Sequence, residues 1–110
     1  MQLDEETNKR IQGLQLLEQT FQNLIFQKQT FQIDLNEIKT ALDEVEKTKA
    51  DVFRVLGQIM VKADKPTLKK ELKEKFDTLN LRMKSMEKQE LQMREEIERL
   101  RAGIMDKVNN

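Results

Sequence analysis

Twenty Lys and Arg and twenty Asp and Glu supply nearly all the ionic chemistry in this chain, which has no His, Cys, Trp or Tyr. Nucleophilic or acid–base catalysis needs a group whose pKa has been moved by burial or by a neighbour. Here the carboxylates are interspersed with Lys and Arg along helical stretches, where nothing raises a pKa or excludes water. Glu44 with Glu46, and Glu95 with Glu96, could hold a cation weakly, but they fit a salt-bridged helix surface far better. Gly13, Gly57 and Gly103 stand isolated, so no glycine-rich loop can cradle a phosphate. The basic residues form no patch with interleaved aromatics, and the net charge is zero, so nothing recruits nucleic acid or an anionic membrane. The chain therefore reads as a non-enzyme with no metal and no cofactor.

The elements carrying these residues are long helices. Charged residues make up 36% of the chain and aromatics 5%, a composition closer to amphipathic helices than to a compact globule. Leu14, Leu17, Phe21, Leu24, Phe31, Leu35, Ile38, Leu42 and Val45 recur at alternating steps of three and four. The gap is Lys28, which occupies an a position. This is a heptad seam over about five repeats, the mark of a coiled coil, and the helix carrying it would run roughly 70 Å. A second seam follows: Leu72, Phe76, Leu79, Met83, Met86, Glu90, Met93, Ile97, Leu100 and Ile104. Leu68 falls one position out of phase, an 11-residue step before Leu79 that would relax the supercoil locally. Gln12, Gln15, Gln19, Gln22, Gln27, Gln29 and Gln32 read as a solvated face of the first helix.

Between the helices, residues 51–64 are β-branched and apolar. Val52–Leu56 and Ile59–Ala63 flank Gly57-Gln58, a connection suited to a type II′ hairpin turn because Gly tolerates positive φ. Such a turn pairs Leu56 with Ile59, Val55 with Met60, Arg54 with Val61 and Phe53 with Lys62. Both faces are largely apolar and both edges are bare. A lone two-stranded hairpin is marginal in water, and its edges invite further strands. The stretch therefore reads as one completed by other copies or other chains. Asp64 fits an N-cap and Pro66 the first turn of the second helix.

The expected fold is mostly α: a long antiparallel two-helix coiled-coil hairpin with a short β-hairpin at the turn. It forms a single domain over residues 1–110, with helices at 3–50 and 65–108. The turn places Leu14 opposite Leu100, Phe21 opposite Met93, Phe31 opposite Met83 and Leu42 opposite Leu72. Lys28 and Glu90 fall in adjacent layers, and we expect them to meet and fix the register; the alternative is that both reach separately for solvent. Off the seam, Ile11, Leu16, Met105 and Val108 gather at the end remote from the hairpin, beside Leu14, Leu100 and Ile104. That end is either a sticky surface or an untidy coil terminus. No apolar run is long enough to span a membrane, and Met-Gln-Leu-Asp-Glu-Glu does not read as a signal peptide. The lack of Cys is compatible with a reducing cytosol.

The run Val-Phe-Arg-Val-Leu-Gly-Gln-Ile-Met-Val at the hairpin is followed by Leu-Lys-Lys-Glu-Leu and by Leu79-Asn-Leu-Arg-Met-Lys-Ser-Met-Glu-Lys-Gln-Glu90. Together with Phe26-Gln-Lys-Gln and Glu37-Ile-Lys-Thr-Ala-Leu, this order resembles the beta-class prefoldin subunits over residues 12–104. Family members often have Pro after the hairpin Gly, where this chain has Gln58. The single strand pair looks like the beta class rather than the longer alpha class.

The resemblance implies a hetero-hexamer of two alpha-class and four beta-class subunits, whose strands join a multi-subunit β-barrel. It implies an ATP-independent cytoplasmic chaperone whose coiled-coil tips hold unfolded or nascent proteins and hand them to a group II chaperonin. Assembly residues would be Val52, Phe53, Val55, Leu56, Ile59, Met60 and Val61. The client-binding tip would comprise Leu3, Ile11, Leu14, Leu16, Leu17, Leu100, Ile104, Met105 and Val108, with the chaperonin contact near residues 99–110. The alternative is a structural coiled-coil tether or scaffold subunit, which needs a turn but not a dozen β-forming residues.

Overall fold

The computed structural model describes residues 4–109. The element order is α1 (Glu5–Lys47), β1 (Val52–Leu56), β2 (Ile59–Ala63) and α2 (Lys65–Asn109). Each helix begins where a side chain satisfies amides that have no partner within the helix. For α1 the cap is Asp4, whose Oδ1 accepts from the Thr7 amide at 2.6 Å while its carbonyl accepts from the Asn8 amide at 3.0 Å. Glu5 and Glu6 in the first turn and Lys47 in the last also suit the helix dipole. For α2 the cap is Asp64, whose Oδ2 accepts from the Thr67 amide at 3.2 Å and the Thr67 hydroxyl at 2.6 Å. Pro66 then sits in the first turn, where its missing N–H costs nothing.

α1 stops at Lys47, three residues short of the expected boundary. Thr48 ends it: its amide donates to the Glu44 carbonyl at 3.0 Å, and its Oγ1 accepts from the Ala50 amide at 3.2 Å. That local bond competes with another helical turn and turns the chain toward β1.

The two strands pair antiparallel as Val52–Ala63, Phe53–Lys62, Arg54–Val61, Val55–Met60 and Leu56–Ile59. Gly57 has φ of 61°, and among the described residues no non-glycine residue has positive φ. Positive φ at the first turn position alone is the type II′ pattern, whose twist matches that of the strands.

The chain divides into two compact units. The first joins α1 up to Gln29 with α2 from Lys84 onward. Its buried seam residues are Thr7, Leu24, Met86, Ile97 and Ile104, flanked by half-buried Leu14, Leu17, Phe21, Met93 and Leu100. The second unit, Thr30–Met83, contains the hairpin. Leu35, Val45 and Met83 are buried there, with Phe31, Ile38, Leu42, Leu72, Phe76 and Leu79 half-buried. Leu68 is not idle: the spacing that shifts it out of heptad phase brings it into a cleft with Val45, Thr48, Val52 and Phe53. It supports the root of the hairpin.

Candidate functional site

Alternation along the strands sorts the hairpin into two faces. Val52, Arg54 and Ala63 share a face and are half-buried. Leu56, Ile59 and Val61 lie on that same face nearer the turn but are exposed, Phe53, Val55 and Met60 point the other way and are exposed too, and these six side chains are 45–67% exposed. So many large apolar groups on ten strand residues, in a sheet whose outer edges pair with no other strand among the described residues, make this an exposed apolar surface.

Polar contacts hold the hairpin at the helix ends. The Arg54 guanidinium, the one charge on the helix-facing side of the strands, donates to Glu71 of α2. An apolar residue there would need no partner; a guanidinium leaving water does. Lys65 Nζ donates to the Thr48 carbonyl at 2.6 Å, tying the start of α2 to the end of α1. Lys69 reaches Glu46 at 2.8 Å, and Lys62 reaches Asp51 at 3.5 Å. The hydrogen bond from Lys69, reinforced by its charge and by the charges of Lys65 and Lys73, holds the Glu46 carboxyl below its ordinary range. The groove between Arg54 and Glu71, Glu74, Lys75 and Arg82 is lined by mixed charge. Thr78 and Leu79 complete its lining. Among the described residues, no three acidic side chains converge to hold a metal ion.

In the other unit, Lys28 Nζ donates to Glu90 Oε2 at 2.8 Å across the seam. Arg94 approaches the second carboxylate oxygen at 3.3 Å, and its guanidinium carbon lies 5.8 Å from the centre of the Phe21 ring. Further along, Arg101 meets Glu18 at 3.4 Å and Lys107 meets Asp4 at 3.5 Å.

Leu3, expected at the tip, lies outside the described residues. Of the other tip residues, Leu16 and Met105 are exposed, while Ile11, Leu14, Leu17, Leu100 and Val108 are half-buried. Ile104 is buried at 8% exposure, so it belongs to the seam and offers nothing to a partner in this conformation. Ile11 and Val108, read as flanking, also lie partly within the packing. The seam continues through Thr7, 2% exposed and one heptad before Leu14, and this draws Ile11 inward. Thr7 was findable by extending the heptad one step. The Asp4 cap also had a signal, an Asp three residues before a Thr at a helix start. The Arg54–Glu71 and Lys65–Thr48 contacts had none, because they depend on how the strands lie on α2.

The model of the family described as "Prefoldin subunit" matches residues 8–110. This chain belongs to the prefoldin subunit family. It is 39% identical over 93 residues to prefoldin subunit beta of Thermococcus kodakarensis, covering 83% of this chain and 80% of that one. It is 40% identical over 93 residues to the subunit of the same name from Pyrococcus furiosus, with the same coverage. The crystal structure of the prefoldin beta subunit from Thermococcus strain KS-1 superposes with a TM-score of 0.87 at 34% identity, covering 96% of this chain and 94% of that chain. Two long helices with a two-stranded hairpin between them are thus a prefoldin beta fold. Prefoldin subunits are chaperones, and membership of the family implies a chaperone-like role for this chain.

Proposed function

We propose that this chain is the beta-class subunit of an ATP-independent chaperone, assembled with alpha-class and further beta-class subunits, that holds non-native proteins on its coiled-coil arms and passes them to a group II chaperonin. One observation carries the reading: a chain of a chaperone family presents a rigidly turned, apolar, edge-exposed β-hairpin. Strands from other subunits would extend the two-stranded sheet into a multi-subunit barrel and cover Phe53, Val55, Leu56, Ile59, Met60 and Val61. A hexamer of two alpha-class and four beta-class chains in the cytoplasm is the assembly that this reading adopts. Tethering several arms to one platform raises the effective concentration of each additional client contact, so weak individual contacts hold a client together. Clients would meet the distal ends at Leu16 and Met105, and the chaperonin would engage residues 99–110.

The test dilutes urea-unfolded citrate synthase into the purified chain, with and without an alpha-class subunit, and follows light scattering. Suppression by the assembled complex is expected; unchanged scattering in both arms would sink the reading. Assembly is tested separately by the pair Val55→Asp and Ile59→Lys. Helical circular dichroism should persist while the hexamer disappears from a sizing column, and a surviving hexamer would remove the hairpin from the assembly site.

A further inference from the structure

Beyond the exposed Glu5–Lys9 pair of its first turns, the face of α1 opposite the seam carries no charge as far as Lys28. Between Arg10 and Lys28 the only charged residue is Glu18, and Arg101 draws it toward α2 at 3.4 Å. Gln15, Leu16, Gln19, Gln22, Asn23 and Phe26 follow one another at helical spacing and all are exposed. Among the described residues, the side-chain amides of Gln15, Gln19, Gln22 and Asn23 are committed to no other group of the protein. The part of α2 in the same unit contrasts with this: Lys84, Glu87, Lys88, Glu95, Glu98 and Arg99 are all exposed.

We propose that this uncharged strip of α1 is a docking track for extended, weakly charged segments of non-native polypeptide. The proposal rests on the chaperone reading and deepens it by moving client contact from the coil end onto a helix face. A primary amide offers two donors and an acceptor, the same groups that a peptide backbone presents once it has lost its own partners. Desolvating neutral amides costs far less than desolvating charges, so the strip accepts backbone without selecting side-chain charge. Leu16 and Phe26 stand about 15 Å apart along the axis, a span of roughly four to five residues of extended chain. The strip therefore favours apolar side chains at that spacing with backbone between them. Two apolar residues over three turns are too few to bury the area of a stable interface with a second copy of the chain, but suffice for a transient contact.

The chain has no cysteine, so one introduced thiol is unique. Gln19→Cys and, as a control on the charged face of α2, Glu95→Cys are labelled with benzophenone maleimide in the full chain. Each is irradiated with α-lactalbumin that has been reduced and capped with iodoacetamide, which keeps it unfolded. The probe on α1 should cross-link several-fold more than the probe on α2. Adding Gln15→Glu and Gln22→Glu, which keep good helix formers, should abolish that excess without changing helical circular dichroism. Equal cross-linking from the two positions, indifference to the added charges, or a product joining two copies of this chain would overturn the proposal. If the chain and its Gln15→Glu, Gln22→Glu variant suppress citrate synthase aggregation equally, the strip is not the client site although the chaperone reading stands. If neither suppresses aggregation and the α1 probe gives no excess, both fall.

Discussion

Replacing Lys28 by Met and Glu90 by Leu, singly and together, tests whether the charged layer fixes how the helices pair. The side chains are 31% and 17% exposed, and their charged atoms are 2.8 Å apart. Such a pair lies between an exposed bridge, worth at most about 1 kcal/mol, and a buried one whose rupture costs about 3–5 kcal/mol. Solvent screening at Lys28 pulls the value down, so a coupling of about 1–2 kcal/mol is expected. The two single changes should be unequal. Lys28→Met leaves Glu90, the more buried member, with only the longer contact to Arg94 at 3.3 Å. Glu90→Leu leaves an ammonium that can extend along its own stem to water, so it should cost less. The double variant replaces the layer by apolar side chains and should match or exceed the parent in stability. Urea unfolding of all four chains, followed by helical circular dichroism at matched concentration, gives the cycle. A coupling below about 0.3 kcal/mol would show that the two side chains meet across adjacent layers without stabilising each other, and would remove them as a register device.

Gly57→Ala should destabilise the chain by about 1–2 kcal/mol, because φ of 61° is a left-handed conformation that a Cβ disfavours. Gly57→Asn should cost less, which urea midpoints would show; equal costs would mean that the turn relaxes out of that conformation. Acidification should loosen both ends of the structure. The side-chain and backbone hydrogen bonds from Thr7, and the nearby charge of Lys107, hold the Asp4 carboxyl below its usual range, as Lys69 does for Glu46. A folded pKa below the unfolded one gives stability that is present above the unfolded value, near pH 4, and is lost as pH falls through the folded value. Hydrogen exchange at the first turn of α1 should therefore accelerate below that range. Asp4→Asn, which still caps, should flatten the dependence; an unchanged profile would refute the assignment to Asp4.

The hairpin was legible because its cause is local. Gly57 and the β-branched Val52, Val55, Ile59 and Val61 around it dictate a turn, two strands and a register without reference to anything distant. The seams were legible for a related reason, since a period of 3.5 residues survives with no knowledge of the partner helix. Lys28 and Glu90 stood out as breaks in that period, and the distance between them follows from the turn that pairs the helices. Less could be read at the distal end. Flanking positions such as Ile11 and Val108 turn inward or outward according to small rotations of each helix, which periodicity does not resolve. Arg54 looked like an ordinary polar residue in an apolar strand. Only the approach of Glu71 from the next element gives it a role.

The contacts across the two helices form a ladder of widening sequence separation. Arg54–Glu71 and Lys65–Thr48 each join residues 17 apart, Lys28–Glu90 joins residues 62 apart, and Lys107–Asp4 residues 103 apart. Closing the outermost pair first would confine almost the whole chain as one loop, whereas closing each inner rung first shortens the free chain left to close for the next. The chain should therefore fold as a zipper that starts at the hairpin turn and runs outward, and should open in reverse. The ends of α1 and α2 then exchange with the unfolded state many times for each melting of the hairpin. In such a chain the order of opening is written into the sequence separation of its contacts, and a subunit could stay docked by its strands while its far helical turns come apart and re-form.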